Sequence, residues 1–276
     1  MITLVKEKAE EAYFTLSSGI RMYYRPSRRK TAHLAFLFDI GSRDERAAEH
    51  GMAHYIEHCL FKGTRSRRPY HVLARMEDVG GEINAFTTKE DICLHGSFMS
   101  RYLGRAMELF TDIAFGATYP QREIEKEKDV VADEINAYRE APDELIFEQI
   151  EELVFPRSPL GRTILGTERT IRKFTREGIL AFLRRNFAPE RTLICFSGDL
   201  PVEQVRAEAE KYLSRYPSIL SRPVNPLGRK KPSGYTPVYQ EKVMDTHQAH
   251  VMIAAPSFSV TDPKSVTMSL LANLLG

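Results

Sequence analysis

The chain has 276 residues, 42% of them hydrophobic, enough to bury a substantial core as one large or two medium domains. Its 39 basic and 37 acidic residues nearly cancel, which leaves no global field to recommend nucleic acid or an anionic membrane as partner. Cys59, Cys93 and Cys195 are odd in number, widely spaced and form no CxxC pair, which argues against a disulfide framework or a cysteine-rich metal module and favours a reducing compartment.

Met1 to Glu11 carry charges and no apolar run of signal-peptide length, and no stretch approaches a membrane span, so the expected location is cytoplasmic. Two short runs between Tyr13 and Tyr24 flank Ser17-Ser18-Gly19 and predict a β-hairpin, and Ala32 to Ile40 predict a longer apolar strand. Helical spacing then runs from Glu49 to Lys62, ended by Gly63. A second helix spans Tyr70 to Val79, introduced by Pro69 and stopped by Gly80-Gly81. Glu82 to Thr87 and Asp91 to Phe98 predict two strands. A helical block follows over Arg101 to Phe115, Gln121 to Tyr138 and Pro142 to Val154. The helix Arg176 to Asn186, the buried-type strand Thr192 to Gly198 and a helix from Pro201 to about Tyr212 complete this part. Without regular βαβ alternation the pattern predicts an α+β fold, helices packed on a largely antiparallel sheet. Residues 217–237, rich in Pro, Gly and charge, read as a linker. The basic run Arg229-Lys230-Lys231 within it reads as solvated, since it is short and lacks the interleaved aromatics of a nucleic-acid surface. Beyond it, His247 to Ala254 predict a strand and Pro263 to Leu275 a helix, too little for an independent core.

The first helix carries the chemistry. His54-Tyr55-Ile56-Glu57-His58 places two imidazoles one turn apart with a carboxylate between them, all within roughly a third of the helix circumference. Such a pair suits tetrahedral zinc, with a third protein ligand and a fourth position open to water. Glu57 beside that water is placed to act as general base, and the H-x-x-E-H order is that of peptidases with an inverted zinc motif. His50 also lies one turn before His54, but Gly51 puts it at a frayed helix start. Cys59 points away from His54 and reads as core.

A third ligand is sought on the helix Gln121 to Tyr138, whose apolar stripe is Ile124, Val131, Ile135 and Tyr138. Asp129 and Asp133 face the opposite side, whereas Glu127 and Glu134 flank the stripe, seven residues apart. At about 10 Å along the axis, only one of the two can reach an ion, and helical geometry alone leaves the choice open.

Taken together these segments resemble the pitrilysin and insulinase superfamily, in the branch that contains mitochondrial processing peptidase and its bacterial relatives. The resemblance rests on Ser18-Gly19-Ile20, Gly41-Ser42-Arg43, GMAHYIEHCLFKGT, GGEINAFTTKED, EKEKDVVADEINAYRE and the stretch Gly161 to Thr167. It implies a zinc metalloendopeptidase, one half of a clamshell, with His54, His58 and Glu134 as zinc ligands. Glu57 becomes the catalytic base, and Glu127 the acidic residue seven positions before the ligand, a supporting or auxiliary group of the catalytic site. Asn84, Ala85 and Phe86 match the edge strand that pairs with substrate backbone. It further implies a zinc-binding catalytic domain over 1–216, the linker 217–237, and the truncated start of a second homologous domain over 238–276. The expected partners are a peptide or unfolded polypeptide substrate and, for the second half, a homodimer or partner chain. The apolar residues Val266, Leu270, Leu271 and Leu274 fit such self-association. The competing expectation is a non-catalytic or partner-dependent subunit of a two-half peptidase or scaffold assembly.

Overall fold

The computed structural model describes residues 10–217, 227–245 and 247–275. The first nine residues and 218–226 of the expected linker lie outside the described residues. Two compact units are formed, residues 1–135 with 164–229, and residues 136–163 with 230–276.

The first unit is built on a sheet of β1 (Ala12–Thr15), β2 (Arg21–Pro26), β3 (Thr31–Phe38), β4 (Glu82–Thr87), β5 (Ile92–Met99) and β6 (Thr192–Gly198), ordered β1-β2-β6-β3-β5-β4. Every pairing is antiparallel except that of β2 with β6. The α+β, largely antiparallel expectation therefore holds. The apolar run of β6 explains its place: inserted between β2 and β3, it has neighbours on both sides. Strand alternation buries Ala32, Leu34, Phe36 and Phe38 on one face of β3. The helix α3 (Leu103–Gly116) packs there, its Phe110 ring 5.7 Å from that of Phe36. The helices α1 (Met52–Leu60), α2 (Pro69–Glu77), the first part of α4 (Gln121–Glu140), α6 (Glu168–Ile171), α7 (Arg176–Asn186) and α8 (Val202–Leu213) complete this unit. The other unit contains α5 (Pro142–Val154) and α9 (Ser265–Leu275). No described helix is long and apolar enough to cross a membrane.

The helix expected over Glu49 to Lys62 is shorter, Met52 to Leu60, because Gly51 precedes it in the left-handed region at φ 93°. His50 is thereby excluded from the helix. Gly51 crosses Gly166, which is also left-handed at φ 77°, and a Cβ on Gly51 would stand 2.7 Å from the Leu165 carbonyl oxygen. Both the backbone angle and the crossing require glycine. Gly51→Ala is therefore expected to cost at least about 2 kcal/mol, read as a lower urea midpoint; an unchanged midpoint would contradict the crossing.

Two sequence readings need correction. Residues 247–254 form no strand, and Val251 and Ile253 stay exposed. Arg229 is not solvated either. Its guanidinium pairs with both carboxylate oxygens of Asp44 at 2.8 and 2.7 Å and with Asp39 at 2.5 Å, because the chain passes an acidic corner at the end of β3 that composition alone does not reveal.

Candidate metal centre

The helix α1 is held at its start by Glu45, a buried residue whose carboxylate accepts the backbone N–H groups of Gly51 and Ala53 at 2.9 and 2.8 Å. A carboxylate there satisfies two otherwise orphaned donors and complements the positive end of the helix dipole. Nothing in the local sequence marks Glu45 as a cap, since it stands well outside the N-cap position. The buried Tyr55 hydroxyl donates to the Ile124 carbonyl of α4, which ties the two site-bearing helices together.

Across that contact His54, His58 and Glu134 converge, each offering one ligand atom within 4.8 Å of the others. His54 Nε2 lies 3.3 Å from His58 Nε2 and 3.7 Å from Glu134 Oε1, and His58 Nε2 lies 3.2 Å from Glu134 Oε2. On α4, Glu127 is buried and Glu134 half-buried while Asp129 and Asp133 are exposed, the division that the helical geometry predicts. Glu127 does not meet the centre of the cluster. Its Oε2 sits 3.2 Å from Nδ1 of His58, the ring nitrogen facing away, and its Oε1 is 2.5 Å from Lys62 Nζ. Cys59 is buried in the core and is not among the converging groups.

The titration directions follow from this packing. Burial, reinforced by the charge of His58, lowers the proton affinity of His54. For His58 burial acts the same way, but hydrogen bonds to Glu127 and Glu134 overcome it and raise the imidazole to about 9. Glu134 is held below the usual carboxylate range, chiefly by its bond to His58. The cluster thus favours a single proton on His58, held by the carboxylates of Glu127 and Glu134, at the place where a cation would compete with it.

Glu57 points from the same helix towards β4. Its Oε2 accepts a 2.6 Å hydrogen bond from the Thr87 hydroxyl, and burial raises its proton affinity despite that bond. Among the described residues β4 lies at the sheet edge, paired with β5 alone. Asn84 and Phe86 are exposed there, while Ala85 is buried and gives its N–H to the Asn84 side chain at 2.8 Å. Lys62 and Thr87 were not singled out as site residues by sequence reasoning. Their contacts bridge separate elements, and no spacing rule reports a contact of that kind.

Residues 21–168 match the family described as insulinase (peptidase family M16), and residues 173–276 match the peptidase M16 inactive domain. An uncharacterized zinc protease of Bacillus subtilis, YmxG, is 28% identical over 95% of this chain and 63% of its own length. The probable mitochondrial-processing peptidase subunit beta of Arabidopsis thaliana is 28% identical over 95% of this chain and 50% of its own. The chain therefore spans about half to two thirds of the length of these curated relatives. Among solved structures, a protease from Helicobacter pylori superposes with a TM-score of 0.74 at 20% identity, over 81% of this chain and 54% of the other.

Proposed function

Since the chain belongs to the M16 peptidase family typified by insulinase, we propose that it carries the metal centre of a zinc metallopeptidase that hydrolyses peptide bonds. The observation that carries this reading is the convergence of His54, His58 and Glu134 on one point. Two imidazoles and one carboxylate form a donor set suited to zinc with a coordination position left open. Zinc, when bound, supplies Lewis acidity that polarises a peptide carbonyl and makes a water acidic near neutral pH.

The chain's own residues supply the rest of the chemistry. Glu57 takes the proton of the attacking water on its carboxylate and returns it to the leaving amine; its burial favours that proton uptake. Glu127 holds Nδ1 of His58, so that Nε2 is presented to the centre. Asn84, Ala85 and Phe86 lie on an edge strand where an extended peptide backbone can add as a further strand. Zinc-dependent hydrolysis of unstructured peptides, lost in a Glu57 variant, is the test.

Glu127→Gln keeps the size of the side chain and removes the charge behind His58. Zinc affinity is expected to fall about 10- to 100-fold, measured by competition with a chromogenic chelator. An affinity equal to that of the wild type would show that Glu127 does not orient the ligand.

The second half of the site is assigned to a longer form of this chain or to a partner, whether a second copy or a different subunit. The share of each relative covered and the word "subunit" in the Arabidopsis name support this. A chain that binds metal yet depends on its partner for turnover is the alternative within this proposal. A cytoplasmic location belongs to the proposal as well, supported by three free cysteines.

A further inference from the structure

Resting on the reading of Glu57 as the base, we propose that Thr87 is the positioning residue that decides which carboxylate oxygen of Glu57 receives the proton. The Thr87 hydroxyl donates to Oε2 at 2.6 Å. Among the described residues this is the one hydrogen bond that the Glu57 carboxylate accepts. An ionised carboxylate offers two oxygens on a freely turning plane; a short bond to one fixes the plane and leaves the other, Oε1, to take the proton. The donor is held on a rigid element. Thr87 closes β4, opposite Ile92 of β5, and the next residue, Thr88, donates its N–H to the Asp91 carbonyl at 2.7 Å. Its branched Cβ restricts χ1, so the direction of the hydroxyl is set by the strand.

The position of Thr87 carries a second consequence. Strand alternation puts Thr87 on the face of buried Ala85, where α1 packs, while Asn84 and Phe86 take the other face. The strand assigned to the peptide backbone therefore also holds the base. Substrate and proton acceptor share one frame, which is how small misplacements of reacting groups are avoided.

The test uses the full-length, zinc-supplemented protein and a quenched fluorescent peptide, comparing Thr87→Val, which keeps shape and branching, with Thr87→Ser, which keeps the hydroxyl. Thr87→Val should lower kcat about tenfold or more, the equivalent of one hydrogen bond to a charged group. Its KM should stay within about twofold and its zinc content at the wild-type level, and Thr87→Ser should recover most of kcat. If the valine variant fails to fold, Thr87→Ala is read in the same way. Wild-type kcat in Thr87→Val, a serine variant as impaired as the valine one, or zinc lost in parallel with kcat would each overturn the inference. A wild type that binds zinc and hydrolyses no peptide even with the chain that completes the site present would remove the reading of Glu57, and this inference with it, whereas failure of Thr87→Val alone leaves that reading intact.

Discussion

Glu57→Gln is expected to abolish peptide hydrolysis while leaving the metal in place. The amide is isosteric with the carboxylate, and its oxygen can still accept the Thr87 hydroxyl bond seen at 2.6 Å, so the fold and the local packing have no reason to change. What is lost is the ability to take a proton, a function whose removal costs about 100- to 10,000-fold in comparable general-base roles. Glu57 is not one of the three groups that converge as candidate ligands, so zinc content should match that of the wild type. The measurement is kcat on an unstructured peptide beside elemental zinc in the same samples. Turnover near the wild-type level would assign the proton transfer to another group.

How far the sequence alone reached depended on the kind of contact. Periodicity placed the hairpin, all six strands of the sheet and the principal helices to within a few residues, because each of these is set by local pattern and burial on one face. The strand order was not legible. β6 inserts between β2 and β3, and its run of apolar residues indicates only a central position, not which strands flank it. The start of α1 was misplaced towards Glu49 because the need for glycine at position 51 comes from a crossing with Gly166, which no window around α1 contains. The apolar alternation of Val251 and Ile253 suggested a strand, yet a strand exists only where another backbone pairs with it.

The site divides along the same line. His54, Glu57 and His58 share one helix, so their mutual placement follows from the helical repeat. The division of α4 into buried Glu127 and half-buried Glu134 against exposed Asp129 and Asp133 was legible for the same reason. The choice between the two glutamates was not: helical geometry left both open, and the family resemblance pointed to Glu134. In the structure Glu134 is the one that joins the two imidazoles, while Glu127 reaches the far nitrogen of His58. Lys62, Thr87 and Glu45 contact the helices or side chains of the candidate site across element boundaries, and the acidic corner that captures Arg229 is assembled from Asp39 and Asp44. These are long-range contacts between polar residues of ordinary type, which composition and spacing do not mark.

The second large effect concerns the metal itself. Removing the His58 imidazole takes away one candidate donor and leaves the buried Glu127 carboxylate without the ring nitrogen that lies 3.2 Å from it. Removing the Glu134 carboxylate leaves two neutral imidazoles, a donor set that holds zinc far less well than three ligands including an anion. Asp133, exposed and adjacent in sequence, provides the control for the facing of α4. The decisive measurement is the zinc content of the purified protein by elemental analysis, for the wild type beside His58→Ala, Glu134→Ala and Asp133→Ala. About one zinc per chain in the wild type and in Asp133→Ala, with loss in the other two variants, is the predicted result. A wild type that takes up no zinc under reducing conditions, or a Glu134→Ala variant that retains it fully, would contradict the three-ligand centre.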